Sequence, residues 1–152
     1  MTPELGIIEG FYGKPWTWEE RAATVSFLAP HGYSFYLYAP KSDPYLRRRW
    51  AEPHPDHVTD ELAKFAAHCR DLGLRFGIGL SPYELYAAFD DAARRALFRK
   101  LAFFDALEVE YLAILFDDMR GDSPDLAERQ VEIVHWIRDK VGSTRLIVCP
   151  TY

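Results

Sequence analysis

Two adjacent carboxylates, Asp117 and Asp118, are the residues of this chain best suited to chemistry. They directly follow the apolar run 111–116, and the loop 119–124 comes after them. Ending a buried run in two anions is costly, because each charge loses hydration and the two repel each other. One interpretation is a catalytic pair that exchanges protons with a substrate, and the other is a solvated turn in which aspartate caps a helix.

The residues after the pair supply a helix start of their own. Asp122 or Ser123 can serve as the cap, Pro124 suits the first helical position, and Asp125 suits the first turn. We therefore expect a helix that begins near Pro124 and does not need the preceding aspartates as caps. This expectation favours a functional role for the pair.

Five short apolar runs alternate with four helical patterns. The runs are apolar at odd and even positions alike, which is typical of strands in a parallel sheet covered on both faces. They comprise residues 5–8, 35–39, 76–80, 112–116 and 146–149. A capping box at residues 17–20 opens the first helix. The apolar faces predicted for the four helices are Ala22, Val25 and Leu28; Leu62, Phe65, Ala66, Cys69 and Leu72; Leu97, Leu101 and Phe104; and Val131, Val134 and Ile137.

A strict alternation of strand and helix allows an open doubly wound sheet or an eight-stranded barrel. The segment after the first strand, residues 10–13, has only two glycines, separated by aromatics, and matches neither the dinucleotide fingerprint nor the triphosphate-binding loop. In both architectures the site lies at the carboxyl ends of the strands. The segments that we expect to converge there are 9–12, 39–41, 81–83, 117–118 and 149–151.

Four motifs in these segments resemble the catalytic domain of glycoside hydrolase family 84, the family of the O-GlcNAcases and bacterial β-N-acetylglucosaminidases. They are residues 6–16 (GIIEGFYGKPW), 38–41 (YAPK), 116–118 (FDD) and 149–151 (CPT), and they occur in the family's order. The resemblance implies a parallel (β/α)₈ TIM barrel, which takes about 250 residues. Residues 1–152 would then be the N-terminal part of this catalytic domain, truncated after the fifth strand.

A barrel open in this way leaves sheet edges and an interior without cover. We expect Ile8, Leu37 and Ile114 to line that uncovered interior. Unpaired edges and exposed apolar surface favour self-association of the isolated chain. The sequence predicts no particular oligomeric state.

The resemblance implies hydrolysis of terminal β-linked N-acetylglucosamine with retention of configuration. Retaining enzymes normally place two carboxylates about 5 Å apart on opposite sides of the bond, which neighbours in sequence seldom do. In the substrate-assisted route the 2-acetamido oxygen attacks the anomeric carbon instead. By resemblance, Asp117 stays ionised and accepts a hydrogen bond from the acetamido N–H. Asp118 would protonate the leaving oxygen and later deprotonate water.

Five further positions receive substrate-binding roles from the resemblance. Gly10 would let the backbone approach a sugar hydroxyl, Lys41 would hydrogen-bond sugar hydroxyls, and Cys149 would line the pocket. Phe11 and Tyr12 would line the acetamide pocket or stack on the sugar. The residues alone also fit a tight turn for the glycine, a surface charge for the lysine and core packing for the aromatics.

Other conspicuous residues receive no chemical role. Glu9 stands at a strand end but matches no catalytic position of the family. Residues 54–57 (HPDH) predict a solvated proline-rich loop, since no third ligand cluster accompanies the histidines. The basic triplet 47–49 also predicts a solvated loop. Cys69 and Cys149 predict two buried thiols rather than a disulfide framework. We expect no metal and no cofactor.

Composition limits the possible partners. The chain has 152 residues, 49% of them hydrophobic and 27% charged, as expected of one globular domain. A formal charge of -5 argues against a nucleic-acid partner. No apolar stretch approaches the roughly 18 residues that span a bilayer, and the start lacks the features of a signal peptide, so we expect a cytoplasmic protein without membrane contact.

The expected partner is a GlcNAc-containing glycoconjugate, and two alternatives remain open. One is an inactive truncated fragment that binds GlcNAc weakly at most. The other is a phosphoryl-transfer domain in which Asp117 and Asp118 hold Mg²⁺, although a glycine loop for the phosphates is missing from the sequence.

Overall fold

One parallel sheet organises residues 3–151, the part of the chain that the computed structural model describes. Its five strands pair in sequence order, each with the next. A doubly wound sheet would reverse its strand order, whereas a curled sheet in sequence order is the architecture of a TIM barrel. The expected α/β barrel class is confirmed, as a five-stranded half-barrel. The strands are β1 (Leu5–Glu9), β2 (Tyr33–Tyr38), β3 (Arg75–Leu80), β4 (Tyr111–Leu115) and β5 (Arg145–Cys149).

A helix connects each strand to the next, as the periodicity predicts. The capping box of the first helix is complete, because the Thr17 side chain accepts the Glu20 N–H at 3.1 Å and the Glu20 carboxylate accepts the Thr17 N–H at 2.7 Å. In the described part of the chain no helix is long and apolar enough to cross a membrane. The helices are α1 (Trp18–Leu28), α2 (Asp56–Asp71), α3 (Asp91–Ala106) and α4 (Leu126–Arg138).

The start of α4 differs from the prediction. Pro124 and Asp125 form a turn, in which the Leu126 N–H donates to the Ser123 carbonyl at 3.3 Å, and α4 begins at Leu126. Asp122 does not cap the helix, because its carboxylate pairs with Arg120 at 2.6 Å.

The predicted apolar face of α4 is also partly wrong. Ile133 and Ile137 are buried, whereas Val131 is 53% exposed.

The two faces of the sheet carry different parts of the core. The outer face packs under the helices with large side chains that include Tyr36, Phe76 and Ile114. The inner face carries a smaller cluster. Ile114 was expected in the interior, and this expectation is wrong because Tyr111, Ala113 and Leu115 are the inward positions of β4. Ile8 does face inward and is 53% exposed.

Leu37 faces inward as expected, but it is fully buried rather than uncovered. The reason is that β3 presents glycines, Gly77 and Gly79, on the inner face. A Cβ on Gly79 would lie 2.5 Å from the Ala39 Cβ and 2.9 Å from the Leu115 Cδ1. Side chains of β2 and β4 therefore close over β3 and cover Leu37.

This packing predicts that Gly79→Ala destabilises the protein by about 1–3 kcal/mol, because an added methyl must push apart a well-packed cluster. The measurement is the urea midpoint of unfolding. Gly121→Ala is the matched control, since its new Cβ would meet nothing closer than the Thr151 methyl at 3.6 Å. The control should shift stability by less than about 0.5 kcal/mol. Equal effects of the two substitutions would contradict this account of the inner face.

Candidate active site

Alternate residues of β2 and β4 point to the inner face of the sheet. Continued two residues beyond Ala39 and Leu115, this alternation reaches a lysine and an aspartate. Lys41 lies two residues after Ala39, and Asp117 lies two residues after Leu115. The Lys41 Nζ is 2.6 Å from the Asp117 Oδ2. The Lys41 side chain is only 3% exposed, so its interpretation as a surface charge is wrong. The ion pair joins two strand ends that are not neighbours in the sheet.

The second oxygen of Asp117 has unmet hydrogen-bonding capacity. Asp117 Oδ1 is buried and has no hydrogen-bond partner among residues 3–151. Leaving a buried acceptor unsatisfied costs about 1–3 kcal/mol, and more when the group is charged. Such groups are rare in folded proteins and concentrate where a ligand or water completes them. Asp117 is therefore a fixed anion with one free acceptor.

Asp118 occupies a different environment from its neighbour. It is exposed, and its backbone is left-handed, with φ of 57°. Its Oδ2 accepts a hydrogen bond of 2.9 Å from the Tyr12 hydroxyl, which comes from the loop after β1. Partial burial and the bond to Asp118 raise the pKa of Tyr12, so its hydroxyl remains a donor at neutral pH. The two carboxylates thus have separate partners on separate loops.

Arg47 also reaches this site, although the sequence pattern predicted a solvated position for it. It is only 9% exposed, and one NH2 group lies 3.3 Å from the Asp118 carbonyl oxygen and 3.5 Å from the Tyr12 hydroxyl. Its guanidinium lies 5.3 Å from the centre of the Tyr83 ring. The signal that could have revealed it is the pair of apolar residues around the triplet, Leu46 and Trp50, both of which are buried.

The loop that carries Arg47 has a buried polar base. The Asp43 carboxylate accepts bonds from the Tyr38 hydroxyl at 3.0 Å, the Tyr45 N–H at 2.8 Å and His54 Nε2 at 3.2 Å. Burial opposes the ionisation of Asp43, but these bonds outweigh it and hold its pKa below the ordinary value. The prediction of a solvated loop is wrong for His54, which is buried because it pairs with Asp43.

A buried lysine from α3 holds the same loop at two points. Lys100 Nζ donates to the Tyr45 carbonyl at 3.2 Å and to the Glu52 carbonyl at 2.6 Å. Burial lowers the pKa of Lys100 to about 8. The loop therefore has fixed ends, which gives Arg47 a defined position.

The loop after β5 is tied to the residue that precedes Asp117. Thr151 Oγ1 donates to the Phe116 carbonyl at 2.6 Å, and the Phe116 N–H donates to the Cys149 carbonyl at 2.8 Å. Gln130 of α4 holds Thr151, since its Nε2 donates to Thr151 Oγ1 at 2.9 Å. The sequence contains no signal for this role of Gln130, because a polar residue on a helix does not reveal its partner.

The remaining predicted residues lie along the same edge of the sheet. The Gly10 N–H donates to the Ile8 carbonyl at 2.9 Å, so this glycine sits in a tight turn. A Cβ there would come no closer than 3.6 Å to Ile8, and the fold alone leaves room for a larger residue. Phe11 packs edge-on against Trp16 with ring centres 5.3 Å apart.

Glu9 lies on the opposite, helix-facing side of the sheet. Its carboxylate accepts two bonds from Arg21, at 2.7 and 2.8 Å, and one of 2.6 Å from the Tyr36 hydroxyl. Glu9 and Arg21 are both buried. A carboxylate enclosed and paired in this way anchors α1 to the sheet.

Neither cysteine forms a disulfide, and only one of them lies near the carboxylates. Cys69 is buried in the core, where burial raises its pKa to about 12. Cys149 is half-buried, contrary to the expectation of a buried thiol. Burial raises the pKa of Cys149, and the nearby Asp117 charge raises it further. Residues 3–151 contain no cluster of three or more histidines, cysteines or carboxylates suited to a metal ion.

A half-barrel with an ion pair and a second carboxylate at the carboxyl ends of its strands has its polar site where TIM-barrel enzymes have theirs. A family model described as beta-N-acetylglucosaminidase (NAGidase) matches residues 5–152, and the chain belongs to this family. The resemblance to glycoside hydrolase family 84 is thereby confirmed.

Individual relatives agree with the family assignment. The chain is 28% identical over 155 residues to the proteins named Protein O-GlcNAcase of Rattus norvegicus and Mus musculus. The match covers 96% of this chain and 17% of each relative, so the chain spans about a sixth of their length.

Solved structures give the same result for the fold. An O-GlcNAc hydrolase mutant of Thermobaculum terrenum superposes with a TM-score of 0.86 at 29% identity, over 98% of this chain and 35% of that one. The protein CpGH84B gives a TM-score of 0.85 at 28% identity, over 95% of this chain and 26% of that one.

The charges around Cys149 predict its reactivity. Only the thiolate is alkylated, so a raised pKa makes the reaction of Cys149 with iodoacetamide slower at neutral pH than that of an unperturbed thiol. Asp117→Asn removes a negative neighbour and leaves the Lys41 cation, which lowers the pKa of Cys149 and speeds alkylation. Mass spectrometry over a pH series gives the rate, and Asp122→Asn is the control. Equal rates in the two variants would contradict the electrostatic account.

Proposed function

We propose that residues 1–152 are the N-terminal part of a (β/α)₈ catalytic domain that hydrolyses terminal β-linked N-acetylglucosamine. The substrate is a GlcNAc-containing glycoconjugate, in keeping with relatives named Protein O-GlcNAcase. The observation that carries the proposal is the unsatisfied Oδ1 of Asp117. An acetamido N–H is a donor that completes this acceptor with a charge-assisted hydrogen bond.

Asp117 acts in this proposal as the fixed anion. Lys41 holds its Oδ2, and Oδ1 takes the acetamido N–H and so orients the acetamido oxygen towards the anomeric carbon. Lys41 has further N–H donors beyond the one that Asp117 occupies, and these can bind a sugar hydroxyl. Space next to Gly10 gives the sugar ring access to the backbone.

Asp118 acts as the proton carrier. In the first step the acetamido oxygen bonds to the anomeric carbon, the glycosidic bond breaks, and the Asp118 proton passes to the leaving oxygen. In the second step water attacks the anomeric carbon and gives a proton to Asp118. The bond between that carbon and the acetamido oxygen breaks, which restores the acetamido group and leaves the configuration retained overall. The exposure of Asp118 suits both transfers, because the leaving group and water must reach it.

The geometry disfavours the alternative in which the two aspartates hold Mg²⁺. Mg²⁺ requires carboxylate oxygens directed at a common point with room for water molecules. The Lys41 ammonium already neutralises Asp117, and Tyr12 occupies one oxygen of Asp118. Because the chain covers 35% of the matched O-GlcNAc hydrolase, turnover is proposed for the full-length protein rather than for these residues alone.

The division of roles predicts different leaving-group dependence for the two aspartates. Asp118→Ala in the full-length protein should slow phenyl β-N-acetylglucosaminide by about 10²–10⁴-fold, the usual contribution of an acid catalyst. A dinitrophenyl glycoside should be much less affected, because that leaving group departs without a proton. Asp117→Ala should slow both substrates to a similar extent. The measurement is kcat/KM for each glycoside.

Asp122→Asn is the matched control, since Asp122 is an exposed carboxylate in the following loop and pairs only with Arg120 among the described residues. It should leave both rates unchanged. The reverse pattern in the two catalytic variants would exchange the roles of Asp117 and Asp118. Equal leaving-group dependence would refute the division of roles.

Substrate assistance predicts a graded response to fluorination of the N-acyl group. Each fluorine withdraws electron density from the attacking oxygen, so kcat should fall stepwise from acetyl to trifluoroacetyl glycosides. A protein nucleophile would show little dependence. The measurement is the slope of log kcat against the inductive constant of the acyl group. A flat slope together with a trapped glycosyl-aspartate would refute the mechanism.

A further inference from the structure

Arg47 contacts the Asp118 segment and is not needed to neutralise a carboxylate. Its NH2 group approaches a carbonyl and a phenol, the Asp118 oxygen and the Tyr12 hydroxyl, at 3.3 and 3.5 Å. Its Nε is buried and has no hydrogen-bond partner among residues 3–151. A buried charged group with an unmet donor is costly, so packing alone does not explain an arginine here.

The backbone that Arg47 contacts is itself unusual. Asp118 has a left-handed φ of 57°, a conformation that costs an L-residue energy and persists only where its surroundings hold it. Two contacts hold it. Tyr12 binds the carboxylate, and Arg47 binds the carbonyl of the same residue.

Arg47 is well anchored for such a role. The loop that carries it is held on both sides of Arg47 by hydrogen bonds from Lys100 to the Tyr45 and Glu52 carbonyls. The Ser81 N–H, at the end of β3, donates to the Leu46 carbonyl at 2.8 Å. These bonds fix the backbone on either side of Arg47 to α3 and to the end of β3, whereas Asp118 belongs to the loop after β4.

We propose that Arg47 is a positioning residue for Asp118: it fixes the Asp118 carbonyl and the Tyr12 hydroxyl so that the carboxyl is aimed at the leaving oxygen. This inference rests on the proposed function, in which Asp118 is the acid. The contacts of 3.3 and 3.5 Å are long for hydrogen bonds, and contacts of this kind commonly tighten in the complex with substrate.

The test is the leaving-group dependence of Arg47→Met in the full-length protein. Proton delivery in the first step matters only for poor leaving groups, so kcat/KM for the phenyl glycoside should fall about 10- to 100-fold and that for the dinitrophenyl glycoside less than about threefold. In an Asp118→Ala background, Arg47→Met should cause no further loss, because the two residues act as one unit. Arg47→Lys should restore part of the phenyl rate.

Arg48→Met is the matched control. Arg48 neighbours Arg47 in sequence, is exposed, and lies over the same Tyr83 ring at 4.8 Å. It should leave the rates of both glycosides unchanged. Tyr12→Phe is a second test variant in case Arg47→Met fails to fold. Tyr12 is exposed and contributes little to the core, so this variant should fold. It should show the same selective loss of rate on the phenyl glycoside.

Three results would overturn the inference. They are an equal loss of rate on both glycosides, additive effects of Arg47→Met and Asp118→Ala, and a Tyr12→Phe variant that is slowed equally on both substrates. Failure of the wild-type protein on both glycosides would instead refute the proposed function. In that case an NMR titration of Tyr12 tests the contact between Arg47 and Tyr12 directly. Arg47→Met removes a nearby cation and should raise the pKa of Tyr12 further, and an unchanged pKa would refute the contact.

Discussion

The site depends on two glycines of β3, which leave the inner face of this strand without side chains. Gly77 and Gly79 let Leu37 of β2 and Ala39, which directly follows β2, approach the residues of β4 across the strand that separates them. Lys41 and Asp117 are the next inward-facing residues after Ala39 and Leu115, and they form an ion pair at 2.6 Å. A larger residue in place of Gly79 would push Ala39 and Leu115 apart and with them Lys41 and Asp117. The ion pair of the site therefore depends on the packing below it.

Most buried charges in this half-barrel are paired. Glu9 with Arg21 and Asp43 with His54 lie below or beside the rim and have several hydrogen bonds each. Breaking such a pair by removing one partner typically costs about 3–5 kcal/mol. Three buried side-chain atoms have no hydrogen-bond partner among residues 3–151. Asp117 Oδ1 and Arg47 Nε lie beside the two aspartates, and His54 Nδ1 lies in the base of the loop that carries Arg47. Proteins commonly leave hydrogen-bonding groups unpaired at functional sites, and the two unpaired atoms beside the aspartates fit a ligand site there.

The alternation of strands and helices and the position of the carboxylates could be predicted because both are encoded locally, whereas the choice of a barrel over a doubly wound sheet came from the resemblance to the family. Apolar runs, a capping box and the order of the elements are properties of neighbouring residues. The errors concern partners that are distant in sequence. Arg47 meets Asp118 across 71 positions, and His54 is buried only because Asp43 is beside it. Ile114 was assigned to the wrong face, since an apolar run in a doubly covered sheet does not reveal which parity points inward.

The left-handed turn at Asp118 explains how neighbouring carboxylates can have different tasks. In an extended chain successive side chains already point to opposite faces, and one of two adjacent acids at a strand end would turn into the helices. The left-handed conformation costs a typical L-residue about 1–2 kcal/mol, and aspartate tolerates it better than most. With φ of 57° the chain turns after Asp117, so that Asp117 stays paired with Lys41 while Asp118 reaches Tyr12 at the exposed rim. In the proposed mechanism one half-buried, fixed anion beside one exposed proton carrier is the asymmetry that a substrate-supplied nucleophile requires, whereas two carboxylates flanking a sugar would have to come from separate strands.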